Sequence, residues 1–168
     1  MTIDEALNKL ERSKFRSGFH LTKKERAYLD EKGMAVMRRH AEDFVRQKLA
    51  PAEPEKDGKQ TPTHGHPVFK AMHGTACCCR GCLNKWYRVP LHRELSEAEQ
   101  QKIINLLMAW LERFYNQWRI REIILSIMII KRIKIKSLAC FLPKHRIFYR
   151  KILKWNTAKH LNGLPQNT

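Results

Sequence analysis

The chain lacks most of the features that announce a function. None of the apolar runs in its 168 residues approaches the roughly 20 residues that a bilayer-spanning helix needs. Its first residues, "MTIDEALNKLERSK", contain no apolar stretch followed by a small-residue cleavage site, so no secretory signal is expected. There is no internal repeat and no alternation of strand and helix patterns, which argues against βαβ architectures. Acidic residues nearly vanish in the last third. Residues 113–168 hold 13 Lys and Arg against Glu122 alone, a net charge of +12, whereas residues 1–112 hold 20 against 15, a net +5. The total of +17 favours contact with phosphates or anionic lipid headgroups and says nothing of fold. Cysteine is scarce and odd in number, five in all, which argues against a disulfide framework. A cytoplasmic location is expected by default, and there clustered thiols stay reduced and serve metal or redox chemistry more often than structural bridges.

What is present is mostly helix signal. Thr2 with Glu5, Thr22 with Glu25 and Ser96 with Glu99 fit capping boxes, in which hydroxyl and carboxylate each satisfy a free backbone N–H at a helix start. Apolar residues recur at helical spacing: Ile3, Ala6, Leu7 and Leu10, then Met34, Met37, Ala41, Phe44, Val45 and Leu49, then Ile103, Ile104, Leu107, Trp110, Leu111 and Phe114. Gly33 is a natural stop between "RAYLDEK" and "MAVMRRHAEDFVRQKL", and Pro51 ends the latter. "APAEPEKDGKQTPTHG" (residues 50–65) reads as a long loop. The expected class is mainly α: a small helical domain over residues 1–114 with an irregular Cys/His-containing segment, then a basic Ile/Lys/Arg-rich extension over residues 115–168.

The candidate chemistry concentrates in "HGTACCCRGC" (His73–Cys82), which holds four of the five cysteines. Cys79 and Cys82 form C-x-x-C, a spacing at which two thiolates hold one tetrahedral zinc, and Gly81 suits the turn around the ion. A closed site needs four ligands, and the candidates for the rest are Cys78, His73 and His66. Adjacent cysteines on an extended chain point to opposite sides, which weighs against Cys78 and Cys79 sharing an ion. A dithiol redox pair, a nucleophilic cysteine with His73 or His66 as base, and plain buried thiols stand beside the zinc reading, which is favoured over them. An enzyme of this kind would be a metal-dependent hydrolase of nucleotides or nucleic acid. Its zinc would keep an open position, Glu42, Asp43 or His40 would act as base, and "DGKQTPTHGHP" would face the substrate.

Several blocks resemble one family. They are "SKFRSGFHL" (13–21), "RRHAEDFVRQKLAPAEPEKDGKQTP" (38–62), "GHPVFKAMH" (65–73), "CCRGCLNKW" (78–86) and "MAWLERF" (108–114). Together they resemble a small bacterial family known as domain of unknown function 4186, over about residues 10–114. The resemblance implies no activity. The resemblance implies a family pattern "HATATCCRGCL", so that Cys77 stands for a threonine and Gly74 for an alanine. That pattern also places a histidine where this chain has Tyr87. Were that histidine a ligand, the set here would be one short. Nucleic-acid contact would fall to Arg38, Arg39, Arg80, Lys85 and Arg88, among which no specific DNA- or RNA-binding module is recognisable.

The resemblance stops near residue 114. Beyond it Ile123–Ile130 is apolar except for Ser126, "IKRIKIKS" (130–137) alternates as a strand would, and "HRIFYRKILKW" (145–155) reads as a basic amphipathic helix. Three readings are open. The tail binds nucleic acid or anionic membrane, with Phe148, Tyr149 and Trp155 stacking on bases or sitting at the lipid interface. It packs its isoleucines on the domain. Or it is the product of a shifted or fused reading frame, which so abrupt a change of composition would produce and which is weighed slightly above the first.

Overall fold

The structure is a computed structural model that describes the backbone of residues 2–141 and the side chains of residues 2–128. Among the described residues it has five helices and no strand: α1 (Ile3–Glu11), α2 (Lys23–Lys48), α3 (Pro67–Gly74), α4 (Arg80–Tyr87) and α5 (Glu97–Phe141). The expected helical class is the observed one. The chain divides into two compact units, Met1–Arg119 and Ile120–Thr168.

In the first unit the capping boxes form as the sequence indicates. Thr2 and Glu5 exchange hydrogen bonds at the start of α1, and Thr22 and Glu25 do so at the start of α2. Ser96 and Glu99 repeat the exchange before α5. Gly33, at φ 75° and ψ 167°, breaks α2 into the two expected helices. Only glycine adopts that conformation readily, because a Cβ crowds the backbone there. The core is built from the predicted stripes: Met37, Ala41 and Val45 of α2, Leu49 at its C-cap, and Leu107 and Leu111 of α5 are wholly buried, together with Val68, Met72 and Leu83 of the short helices, whereas Met34, Phe44 and Phe114 are partly buried against it and Ile3 is exposed. Arg113 ties α1 to α5 by donating to Glu11 (2.8 Å), Asn8 (3.1 Å) and Asp4 (3.2 Å).

The cysteine segment is less irregular than expected, since α3 and α4 flank its bend. Their eight-residue lengths are too short for a clear apolar period, so end signals decide them. Pro67 sits in the first turn of α3, where its missing N–H costs nothing, and Cys79 caps α4. Residues 50–66 form the expected loop, and it is anchored. Gln60 and Lys48 each donate to the other's carbonyl (3.3 and 3.2 Å), while Asp57 accepts the Arg80 backbone N–H at the start of α4 (3.0 Å). Gly74 lies flat under Trp110, where a Cβ would come within 2.7 Å of the indole.

In the second unit, Ile120, Ile123, Ile124, Leu125, Ile127 and Met128 are exposed. "IKRIKIKS" is helical, not extended. Neither glycine nor proline interrupts residues 97–141, so the helix propagates and the two-residue alternation does not decide its state. No described helix is long and apolar enough to cross a membrane. The expectations for residues 145–155 and for Phe148, Tyr149 and Trp155 lie outside the described residues.

Candidate metal centre

Three side chains of the cysteine segment converge. The Sγ atoms of Cys78, Cys79 and Cys82 all lie within 4.8 Å of one another, a group that could hold a metal ion. Cys78 Sγ is 3.6 Å from Cys82 Sγ. Four ligands at a zinc–sulfur distance of about 2.3 Å stand about 3.8 Å apart on a tetrahedron, so this spacing suits a single ion. The argument that Cys78 and Cys79 point apart fails here. It assumes an extended chain, and the backbone bends at Cys78 and Cys79 before α4 begins. Cys79, as N-cap, turns its Sγ toward the helix and accepts the Cys82 backbone N–H at 3.4 Å. That capping interaction brings Cys82, one turn on, to the same side.

A fourth group, marked by no motif, completes the cluster. Arg16 is 8% exposed, and its guanidinium reaches in from the segment between α1 and α2. It donates to Cys82 Sγ (3.2 Å), Cys78 Sγ (3.8 Å) and the His73 carbonyl (2.7 Å). No spacing rule points to Arg16, because it lies more than 60 residues from the cysteines it touches. The three sulfurs settle their charge on one atom. Hydrogen bonds from Cys78 and Cys79, with the Arg16 cation beside them, hold the Cys82 thiol far below its ordinary value, while Cys78 is pushed up as the donor. This prepares a soft, anionic site.

The other candidate ligands lie elsewhere. His73 stacks on Phe19 (ring centroids 5.2 Å apart) and its Nε2 donates to the Thr61 carbonyl at 3.0 Å. Thr61 in turn donates to the Cys78 carbonyl at 2.9 Å, so His73 supports the segment's backbone and stands outside the sulfur group. His66 is the N-cap of α3. Its Nδ1 accepts the Val68 N–H (3.1 Å), which leaves the proton on Nε2, facing His40 Nδ1 at 3.0 Å. Tyr28, Phe44 and Phe69 wall this pair. Burial, then the proximity of His40, lowers the His66 pKa to about 4, against an opposing pull from Glu25.

Cys77 turns away from its neighbours. It is fully buried, donates to the Thr75 carbonyl at 3.5 Å, and burial raises its pKa to about 12. Tyr87 donates to the same carbonyl, and burial pushes its phenol up as well. Of the bases proposed for a hydrolase, His40 is engaged with His66, Asp43 with Arg46 (2.6 Å), and Glu42 is exposed. Of the basic residues proposed for nucleic acid, Arg39, Lys85 and Arg88 are exposed, and Arg38 donates to Asn105 (3.1 Å). Arg80 is a correction. It is 1% exposed and donates to the carbonyls of Leu49, Pro90 and Arg93 at 3.1, 2.7 and 2.8 Å. Those three otherwise unpaired acceptors explain its burial, and they leave it closed to a phosphate.

A model of the family described as Domain of unknown function (DUF4186) matches residues 4–112, and the chain belongs to that family. No solved structure matches it.

Proposed function

We propose that this family member is a zinc protein in which Cys78, Cys79 and Cys82 bind the ion and the metal serves structure. The observation that carries the reading is the convergence of three sulfurs within 4.8 Å at the start of α4. Thiolates are soft ligands, and zinc is the ion most often matched to them in a reducing compartment such as the cytoplasm. The ion would fasten the bend between α3 and α4, and Arg16 would offset the negative charge that three thiolates leave on a dication. His73 is the candidate for the fourth position, since its backbone shares Arg16 with the sulfurs, but its ring would have to give up the bond to the Thr61 carbonyl to reach the ion. His66 is the weaker candidate, because one ring nitrogen already caps α3 and the other faces His40. Nucleic-acid contact, the finer part of the reading, would fall to Arg39, Lys85 and Arg88 on the surface.

Metal analysis of the full chain, purified without a histidine tag, tests the reading. About one equivalent of zinc is expected, lost in Cys79→Ser. Less than ~0.2 equivalents in the parent chain, with unchanged folding in the variant, contradicts it. For nucleic acid, the affinity for a duplex should fall steeply with salt, and Lys85→Ala with Arg88→Ala should flatten that slope. An unchanged slope removes those residues from the reading.

A further inference from the structure

The same sulfurs carry a second chemistry. We infer that Cys78 and Cys82 are a site of reversible oxidation, joined in a disulfide by a peroxide, and that closing this bond expels the metal. The second half rests on the zinc reading above; the first does not. Three observations point to this pair and away from the C-x-x-C pair that the sequence suggests.

The sulfurs of Cys78 and Cys82 are already in van der Waals contact at 3.6 Å, so a bond of about 2.05 Å needs only a small approach. Arg16 holds both at once, from the same side. Cys79 is held back by its own work, because its Sγ accepts the Cys82 N–H and caps α4, and a bond to Cys82 would break that cap. A Cys78–Cys79 bond would be strained. Adjacent Cα atoms are about 3.8 Å apart, below the roughly 4.4–6.8 Å that a disulfide spans. Cys77 takes no part, since it is fully buried against Thr75. Cys82 is the most accessible of the four, half-buried where the other three are buried, and so it meets the oxidant first.

The step balances with hydrogen peroxide as oxidant. The Cys82 sulfur attacks one peroxide oxygen, the O–O bond breaks, and hydroxide leaves and is protonated to water. Cys82 is then a sulfenic acid. The Cys78 sulfur attacks the Cys82 sulfur, the S–S bond forms, and the S–O bond breaks to release a second water. Two sulfurs lose two electrons and one peroxide becomes two waters. A metal held by these atoms loses two of its ligands and departs as the free cation. A dithiol reverses the bond by exchange and restores the site.

The test uses the full chain as purified, treated with hydrogen peroxide, with released zinc read by a chromogenic chelator and disulfides read by non-reducing peptide mapping. Trypsin cuts after Arg80 and separates Cys82 from the other three, so a bridge to Cys82 joins residues 71–80 to residues 81–85, and fragmentation identifies the partner. The expected result is a Cys78–Cys82 bridge that rises in step with zinc release and is reversed by dithiothreitol. Cys78→Ser should lower the yield of bridged peptide at least tenfold and accumulate oxidised Cys82, whereas Cys79→Ser should keep the bridge. A dominant Cys79–Cys82 bridge, or oxidation of Cys82 with no bridge, overturns the inference. If the purified chain holds no zinc, the zinc reading fails, and the bridge in the metal-free protein still decides the first half.

Discussion

Two clusters of metal-ligating side chains lie in the first unit, and they have opposite characters. Around Cys78, Cys79 and Cys82 the donor atoms converge, and a guanidinium supports their charge. Around His40 and His66 the donors also approach, to 3.0 Å, but their lone pairs are engaged: one nitrogen of His66 accepts the Val68 N–H and the other donates its proton to His40. Aromatic rings then pack around the half-buried pair. Proximity of ligand types therefore does not make a site. What matters is whether the lone pairs remain free and whether the surroundings tolerate charge. The sulfur cluster is arranged for an anion and His66 for a neutral state.

Substitution of ligands should separate the two most sharply. Cys82→Ser is expected to abolish metal binding, whereas His66→Ala should keep full stoichiometry and cost about 1–2 kcal/mol of stability for the lost cap of α3. Metal analysis beside chemical denaturation reads both, and loss of the ion in His66→Ala would erase the distinction. Arg16→Gln should leave the ligands in place and weaken zinc affinity about tenfold, measured by chelator competition, because a partner that offsets thiolate charge is gone.

Acid should act on the histidine side. With its folded pKa lowered to about 4 from an ordinary 6.5, His66 binds its proton more readily when the chain is unfolded. Its contribution is fully present above about pH 6.5 and is lost as pH falls toward 4. The expected loss is roughly 1 kcal/mol after allowing for its partial exposure, read as a pH-dependent midpoint that His66→Ala flattens in that window. The smallest effect is expected at the neighbouring sulfur. Cys77→Thr should leave metal content unchanged and alter stability by less than about 1.5 kcal/mol, since the hydroxyl can take over the bond to Thr75.

The fold was largely legible because its signals are local. Capping boxes at Thr2, Thr22 and Ser96, the stop at Gly33 and the apolar stripes of α2 and α5 each lie within a few residues of what they determine. The short helices α3 and α4 were less so, because eight residues give too few turns for a period. The site was legible by halves. Cys79 and Cys82 are marked by spacing, but the bend that recruits Cys78 is a tertiary event anchored by Asp57 and Thr61 of the loop. Arg16 and the burial of Arg80 were invisible for the same reason: their partners lie far off along the chain, and charge alone reads the same on a surface as in a core.

X-ray absorption at the zinc edge of the full chain, purified without added metal or tag, tests the central claim most directly. The account predicts a first shell of three sulfurs at about 2.3 Å and one nitrogen or oxygen at about 2.0–2.1 Å. A shell made only of nitrogen and oxygen, or one with a single sulfur, would contradict it.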